Sequence, residues 1–430
     1  MYYVNILLYA LFVALMICFN YGYWLAIPLV VLILIQASVH AKQKGGPVRL
    51  ILDGAVLAAV GLAAFRPDFV LVQVVAIFGL VYTLVNFAWD SRLKPDRMIP
   101  MWEQPFKWLG RLVFAVIFIL SIITTTAFIN PTLYARTLQH LMPVETKTSQ
   151  ETEKNYKVFR NLEYPSKKTS NYLDLYQANQ AKGTIFFIHG GGYILGDKGQ
   201  DLYQNYFKKF VQAGYNVAAI NYELAPVNAY PGPLAQINEA LAYILDNAEK
   251  YDIDSQKIIL MGDSAGGQLA GQMVNIITSP DYALEMGLKP AARPANIKGY
   301  INVAGSVDPA RVGQVDFPPC DWLFYTWVAA YFKDIDYVKG QAVNQASVIS
   351  HATSDFVPTF ISDGNWGSFS NQNQDLAQRL ETLGIDVTSQ IYDKNHKKSL
   401  PHIFEISQDN QESQAVFKAQ LKFLEKTLKN

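Results

Sequence analysis

The sequence predicts an α/β domain, with a mostly parallel sheet covered by helices on both faces, preceded by a helical membrane region. Three observations lead to this fold class. Apolar segments dominate residues 1–130, strand-length apolar runs alternate with helix-length segments after residue 155, and a Gly-x-Ser-x-Gly sequence follows one of those runs. Such alternation is typical of parallel sheets. We therefore divide the 430 residues into a membrane region (1–130), a linker (131–154) and an α/β domain (155–430).

The membrane region consists of five apolar segments, at residues 4–19, 23–39, 50–65, 69–89 and 112–129. A bilayer-spanning helix needs roughly 20 mostly apolar residues. Charged residues form only 17% of the chain, and this deficit is concentrated here. We predict about five membrane helices rather than buried helices of a large soluble protein. An anchor is favoured over a transport unit, because Asp53 lies near a segment end and no ionisable residue lies at mid-segment.

The basic residues of the short loops predict the orientation of this region. Five lie in residues 92–111 and three in residues 42–49, whereas the other two loops share one. Because basic loops stay in the cytoplasm, we expect the α/β domain to face the outside of the cell membrane. Cys18 and Cys320 lie in different regions, so no disulfide is expected. A formal net charge of zero gives no reason to expect a nucleic-acid partner.

The linker is polar, and the alternating elements begin after it. Strands are predicted at 184–188, 217–221, 257–261, 298–303, 358–362 and 386–392, and helices at 202–213, 234–250, 266–278 and 372–383. An insertion rich in aromatic residues, 315–351, interrupts this order. Two interpretations of it stay open: a cap whose aromatic wall binds an acyl or aryl group, or ordinary helix packing.

Two glycine-rich motifs follow buried strand-like runs. Residues 262–267 read Gly-Asp-Ser-Ala-Gly-Gly, and their small side chains allow the sharp strand-to-helix turn that exposes a nucleophilic serine. Residues 189–193 read His-Gly-Gly-Gly-Tyr, a loop whose backbone N–H groups can approach a developing oxyanion. Together the two motifs indicate a serine hydrolase site.

Three further motifs extend this pattern, at residues 172–176 (Tyr-Leu-Asp-Leu-Tyr), 221–226 (Asn-Tyr-Glu-Leu-Ala-Pro) and 230–234 (Tyr-Pro-Gly-Pro-Leu). With them, the chain from about residue 155 onwards resembles the α/β-hydrolase esterases, specifically the hormone-sensitive-lipase-like and feruloyl-esterase-like (BD-FAE) acyl hydrolases. The resemblance implies an α/β-hydrolase fold and a carboxylic-ester hydrolase of the esterase, lipase or deacetylase type. A small-molecule, lipid or polysaccharide acyl ester would be its substrate, with no metal or organic cofactor.

Two other functions stay open. Oligopeptidases also use a Gly-x-Ser-x-Gly-Gly turn, although the His-Gly-Gly-Gly loop favours an esterase. A catalytically silent, membrane-tethered binding or sensing protein would explain the lack of a carboxylate where the family places its acid. The oligomeric state does not follow from the sequence.

The resemblance also assigns catalytic residues, which occur in the order serine, acid, histidine in these enzymes. Ser264 is the predicted nucleophile. His402 is the predicted base, because residues 402–404 resemble the family's His-x-Phe ending, and His396 is the alternative. The family's usual acid position corresponds to residues 365–368, which read Asn-Trp-Gly-Ser. We therefore predict Asp363 as the acid, with Asp308 as the alternative.

The oxyanion would be bound by backbone N–H groups. The predicted donors are Gly191, Gly192 and Ala265. His189, at the end of the preceding strand, is predicted to orient this loop rather than to act as a base.

Overall fold

The computed structural model of the chain describes residues 130–140, 148–153 and 155–429. The five predicted membrane segments, residues 4–129, lie outside this part of the chain. No helix among the residues that the structure describes is both long and apolar enough to cross a bilayer.

A nine-stranded sheet forms the centre of the fold. Its strands are β1 (Ser149–Thr152), β2 (Tyr156–Glu163), β3 (Tyr172–Ala178), β4 (Thr184–Ile188), β5 (Asn216–Ile220), β6 (Ile258–Asp263), β7 (Ile297–Val303), β8 (Thr359–Asp363) and β9 (Val387–Ile391). They lie in the order β1-β2-β3-β5-β4-β6-β7-β8-β9. β1, β2, β3 and β5 pair antiparallel, and all other neighbours pair parallel.

The parallel half of the sheet confirms the predicted strands. β4, β5, β6 and β8 are buried at every residue, as expected of strands covered on both faces, which appear in sequence as continuous apolar runs. The predicted strand ends differ from the observed ones by at most two residues. Hydrophobic clusters pack on both faces of the sheet.

Helices connect the strands and cover the sheet. They are α1 (Pro131–His140), α2 (Asp201–Gln212), α3 (Gly232–Asp246), α4 (Ser264–Thr278), α5 (Pro280–Glu285), α6 (Pro318–Phe332), α7 (Gln341–Gln345), α8 (Val348–His351), α9 (Ser370–Thr382), α10 (Phe404–Ser407) and α11 (Gln411–Leu428). Every residue of α4 is buried, so this helix, which begins at Ser264, is held inside the fold.

The segment predicted as a linker, 131–154, contains regular structure. α1 lies at its start, and the Nε2 of Gln139 donates hydrogen bonds to the carbonyl oxygens of Ile194 (2.8 Å) and Ala225 (2.6 Å). β1 pairs with β2 at the edge of the sheet. The sheet therefore begins before residue 155, the predicted boundary of the α/β domain. The sequence did not reveal β1 because its four polar residues pair at an exposed edge and form no apolar pattern.

Candidate active site

Ser264 stands at the junction of β6 and α4, in the turn that the sequence predicted. Its φ of +51° is in the left-handed region, which is uncommon for a non-glycine residue and occurs at nucleophile turns. The turn needs glycine on both sides. A Cβ on Gly262 would overlap the carbonyl of Gly266, and a Cβ on Gly266 would overlap the carbonyl of Ile188 on β4.

His402 is the ring that contacts this serine. It follows β9 and precedes α10, and its Nε2 lies 2.8 Å from the Oγ of Ser264. The rings of Phe324 and Phe369 pack edge-on against the imidazole, at 5.3 and 5.0 Å between centroids. Burial lowers the pKa of His402 to about 3. The ring is therefore neutral near pH 7, the state in which Nε2 can accept a proton from the serine.

Asp363 reaches His402 through an intervening residue. The Oγ of Ser368 lies 2.8 Å from the Nδ1 of His402 and donates a short hydrogen bond to the Oδ1 of Asp363. Asp363 also accepts hydrogen bonds from the N–H of Gly364 and the Nδ2 of Asn373, both at 2.7 Å. The structure thus brings together the predicted Ser264, His402 and Asp363, but with a hydroxyl between the last two. Asp363, the predicted acid, therefore reaches the predicted base only through Ser368.

The alternative residues have other partners. Asp308 lies at the start of a 3-10 turn, Pro309–Arg311, and accepts a hydrogen bond from the Nε of Arg311 at 2.6 Å. The Nε2 of His396 lies 3.5 Å from Glu412 in a loop after β9. Neither residue takes a place in the chain of contacts from Ser264 to Asp363.

The predicted oxyanion loop lies beside Ser264. A Cβ on Gly190 would come 3.0 Å from the Cβ of Ser264, so the loop backbone passes directly over the serine. Gly191 and Gly192 continue it with φ of +104° and +59°. Ala265 follows Ser264 as the second residue of α4, in the first turn of the helix, where backbone N–H groups have no partner within the helix. Oxyanion binding by these three residues stays a prediction.

His189 hydrogen-bonds within the loop rather than to Ser264. Its Nδ1 lies 2.8 Å from the carbonyl oxygen of Gly190, and its ring stacks on Tyr222 at 4.6 Å. Burial lowers the pKa of this imidazole. A neutral Nδ1–H that donates to Gly190 is the contact that a loop-orienting role requires.

Asp263 is a residue whose role the sequence did not reveal. Its Oδ1 accepts a hydrogen bond from the N–H of Gly190 (2.9 Å), and Tyr203 donates to both carboxyl oxygens (3.0 and 3.1 Å). Burial raises the pKa of Asp263 to about 7. The residue before Ser264 therefore joins the serine turn to the glycine loop. Any residue satisfies the second position of Gly-x-Ser-x-Gly, so the motif carried no signal for it.

The aromatic insertion packs against the same site. Its helix α6 presents Phe324 to His402 and Trp327 to the glycine loop, where a Cβ on Gly192 would overlap the indole ring. Tyr331 stacks on Tyr193 of that loop, with ring centroids 3.9 Å apart. Both interpretations of the insertion predicted aromatic packing, and the structure adds that this packing includes the residues around Ser264.

The sheet order and a serine–histidine pair at a strand-to-helix turn define an α/β-hydrolase fold. The crystal structure of Esterase B from Lactobacillus Rhamnosis has this fold, with a TM-score of 0.54 and 21% identity, covering 69% of this chain and 90% of that chain. Residues 173–380 match the family described as BD-FAE.

Curated relatives match parts of the chain. Arylacetamide deacetylase of Oryctolagus cuniculus is 26% identical over 231 residues, 53% of this chain and 54% of the relative. An esterase of Gibberella moniliformis is 25% identical over 218 residues, 47% of this chain and 63% of the relative. The chain thus spans just over half to just under two thirds of the length of these two proteins.

Proposed function

We propose that the α/β domain is a serine carboxylic-ester hydrolase of the esterase or deacetylase type, with Ser264 as nucleophile. The observation that carries the proposal is the 2.8 Å contact between Ser264 Oγ and His402 Nε2 beside a glycine loop. A serine hydroxyl is a weak nucleophile until an adjacent base can take its proton. The names of the rabbit deacetylase and the fungal esterase support an ester or a related acyl group as the substrate.

The first half of the proposed reaction forms an acyl-enzyme. The Oγ of Ser264 attacks the ester carbonyl carbon while its proton passes to the Nε2 of His402. The carbonyl oxygen becomes negatively charged and is bound by the N–H groups of Gly191, Gly192 and Ala265. The tetrahedral intermediate then collapses, the carbon–oxygen bond to the alcohol breaks, and His402 returns the proton to the departing alkoxide.

The second half releases the acid. A water molecule gives a proton to His402 and attacks the acyl carbon, and the same N–H groups bind the second oxyanion. The bond to Ser264 breaks, and the serine regains its proton from His402. No step draws on a cofactor, because the hydroxyl, imidazole and backbone groups supply nucleophile, base and oxyanion donors.

This proposal is tested by comparing two substrate classes on the purified full-length protein. We expect hydrolysis of p-nitrophenyl acetate and butyrate, and little hydrolysis of a peptidyl p-nitroanilide. Faster cleavage of the anilide would favour the oligopeptidase alternative. A folded protein that hydrolyses neither substrate and does not react with a fluorophosphonate would favour the silent binding protein.

We also propose that residues 1–130 anchor the enzyme in the cell membrane, with the α/β domain on the outside. The proposal rests on the five apolar segments and on the basic loops between them. An impermeant fluorophosphonate applied to intact cells should label the protein as strongly as it does after lysis. Labelling only after lysis would place the domain in the cytoplasm.

The helix α6 gives a prediction on substrate binding. If its aromatic side chains form a wall for the acyl or aryl group, Trp327→Ala should raise the KM for aryl esters about tenfold, equivalent to about 1.4 kcal/mol of lost contact. Trp322→Ala tests the same wall at another position. Leu284→Ala, on a side chain that is 82% exposed, is the control and should change nothing. Unchanged KM and substrate preference in both tryptophan variants would leave ordinary helix packing as the role of α6.

A further inference from the structure

The orienting partner of the catalytic histidine is a hydroxyl rather than a carboxylate. Ser368 lies in the loop between β8 and α9, at the last residue of the segment that corresponds to the family's usual acid position. It is buried, with 7% of its surface exposed, and Asp363 behind it is fully buried. The Oγ of Ser368 contacts His402 Nδ1 on one side and Asp363 Oδ1 on the other.

We propose that Ser368 is a positioning residue that transmits the charge state of Asp363 to His402, so that the site works as one chain, Ser264–His402–Ser368–Asp363. The inference rests on the proposed function, since it assigns His402 as the base. Beyond the proposed function, we infer that Asp363 controls the base without contacting it, because its charge sets the direction in which the Ser368 hydroxyl donates.

The direction of the Ser368 hydrogen bond follows from the donors and acceptors around Asp363 and His402. An ionised carboxylate only accepts hydrogen bonds, and Asp363 is surrounded by donors from Gly364, Asn373 and Ser368. The Ser368 proton therefore points to Asp363, and its oxygen lone pairs accept from the Nδ1–H of His402. This fixes the ring tautomer that leaves Nε2 unprotonated, free to accept the proton of Ser264.

Protonation of Asp363 would reverse the chain. A protonated carboxyl can donate to Ser368, whose hydroxyl can then donate to Nδ1 of His402. The ring proton would move to Nε2, and His402 could no longer act as a base towards Ser264. The protonated arrangement carries one more proton, taken up from solvent at Asp363, and the heavy atoms are the same, so the two states differ in protonation and proton positions and not in packing.

This reversal has a defined pH range. Burial raises the pKa of Asp363 to about 7, although its hydrogen bonds act in the opposite direction. Two titratable groups of the described chain lie near it: Glu405 of α10, which interacts electrostatically with Asp363, and His402, which lies beyond Ser368. Burial raises the pKa of Glu405 to about 8 and lowers that of His402 to about 3, so both are neutral near pH 7. Activity should therefore be present above about pH 7 and decline as the pH falls through that value, when Asp363 loses its charge.

The test uses the full-length protein with p-nitrophenyl butyrate, and records kcat/KM against pH for Ser368→Ala, Ser368→Thr, Asp363→Asn and the double variant Ser368→Ala/Asp363→Asn. We expect Ser368→Ala to lower kcat/KM about 10²–10⁴-fold, mostly in kcat, because a base held in the wrong tautomer costs up to about 10⁴. Ser368→Thr should keep most activity. The double variant should be no worse than the poorer single variant. In Asp363→Asn the acid limb near pH 7 should disappear.

The control is Ser347→Ala, which removes another buried serine hydroxyl that caps α8 and should leave kcat/KM and its pH profile unchanged. If wild type is active and Ser264→Ala is not, but Ser368→Ala keeps wild-type activity, the inference is wrong while the proposed function stands. An unchanged acid limb in Asp363→Asn would overturn it as well, and this measurement decides the matter if Ser368→Ala fails to fold. A folded wild-type protein with no esterase activity and no labelling of Ser264 would contradict both the inference and the proposed function.

Discussion

Replacement of Ser264 by alanine should lower kcat/KM for p-nitrophenyl esters by about 10⁴–10⁶-fold, because the acyl-enzyme cannot form without the Oγ. The residual rate should come from the oxyanion donors and substrate binding alone. The side chain is 8% exposed and sits at a tight turn where alanine occupies less space, so we expect the fold to tolerate the change. Initial rates on purified variant and wild-type protein, with thermal unfolding as a check on folding, provide the measurement.

A serine close to the site but outside the proposed chemistry makes a matched control. Ser306 is buried, and its backbone N–H donates to the carbonyl oxygen of Ser264 at 3.2 Å. Replacing its side chain leaves this backbone hydrogen bond in place. Its hydroxyl lies 3.3 Å from that of Tyr193. Ser306→Ala should lose less than tenfold in activity, whereas a loss as large as that of Ser264→Ala would mean that any change to this turn inactivates the protein.

Replacement of His402 by glutamine should have nearly the same effect as loss of the serine. The two residues act as one unit, because a nucleophile without its base and a base without its nucleophile are both ineffective. We therefore expect a loss of about 10⁴–10⁶-fold in His402→Gln and little further loss in Ser264→Ala/His402→Gln. Independent contributions would instead multiply, and a multiplied loss would contradict the role of His402 as the base.

His396 provides the comparison for this experiment. It follows the same strand, but its ring is near Glu412 and in edge-on contact with Tyr392, 4.8 Å between centroids. His396→Gln should retain wild-type activity. If His396→Gln were inactive and His402→Gln active, His396 would be the base and the proposed mechanism would be wrong.

The parallel strands could be predicted because burial on both faces leaves a continuous apolar run. β4, Thr184–Ile188, has the bounds that the sequence predicted. Of the strands that pair antiparallel, β1, β2 and β3 were not predicted. β1 is exposed at all four residues and β2 is buried at only three of eight, so neither shows a run. Their position depends on pairing with distant neighbours, which local composition does not encode.

The site likewise contains residues that local motifs predict and residues that only the fold brings together. The serine turn and the glycine loop are local motifs, and the residues around them force the backbone geometry. His402 comes to Ser264 from 138 positions further along the chain, and the sequence suggested it only through a family pattern. Ser368 lies where the family has its acid, and a hydroxyl at that position gives no sequence signal of an acid. The role of Ser368 becomes clear only in the folded structure, where its hydroxyl lies between Asp363 and His402.

The proposed nucleophile can be identified as the residue that reacts with a fluorophosphonate. Wild-type protein would be labelled to completion, digested and analysed by peptide mass spectrometry. We expect one adduct per chain, on Ser264, formed slowly or not at all in His402→Gln. An adduct on any other serine, or folded protein that stays unmodified while a control esterase reacts, would contradict this role of Ser264.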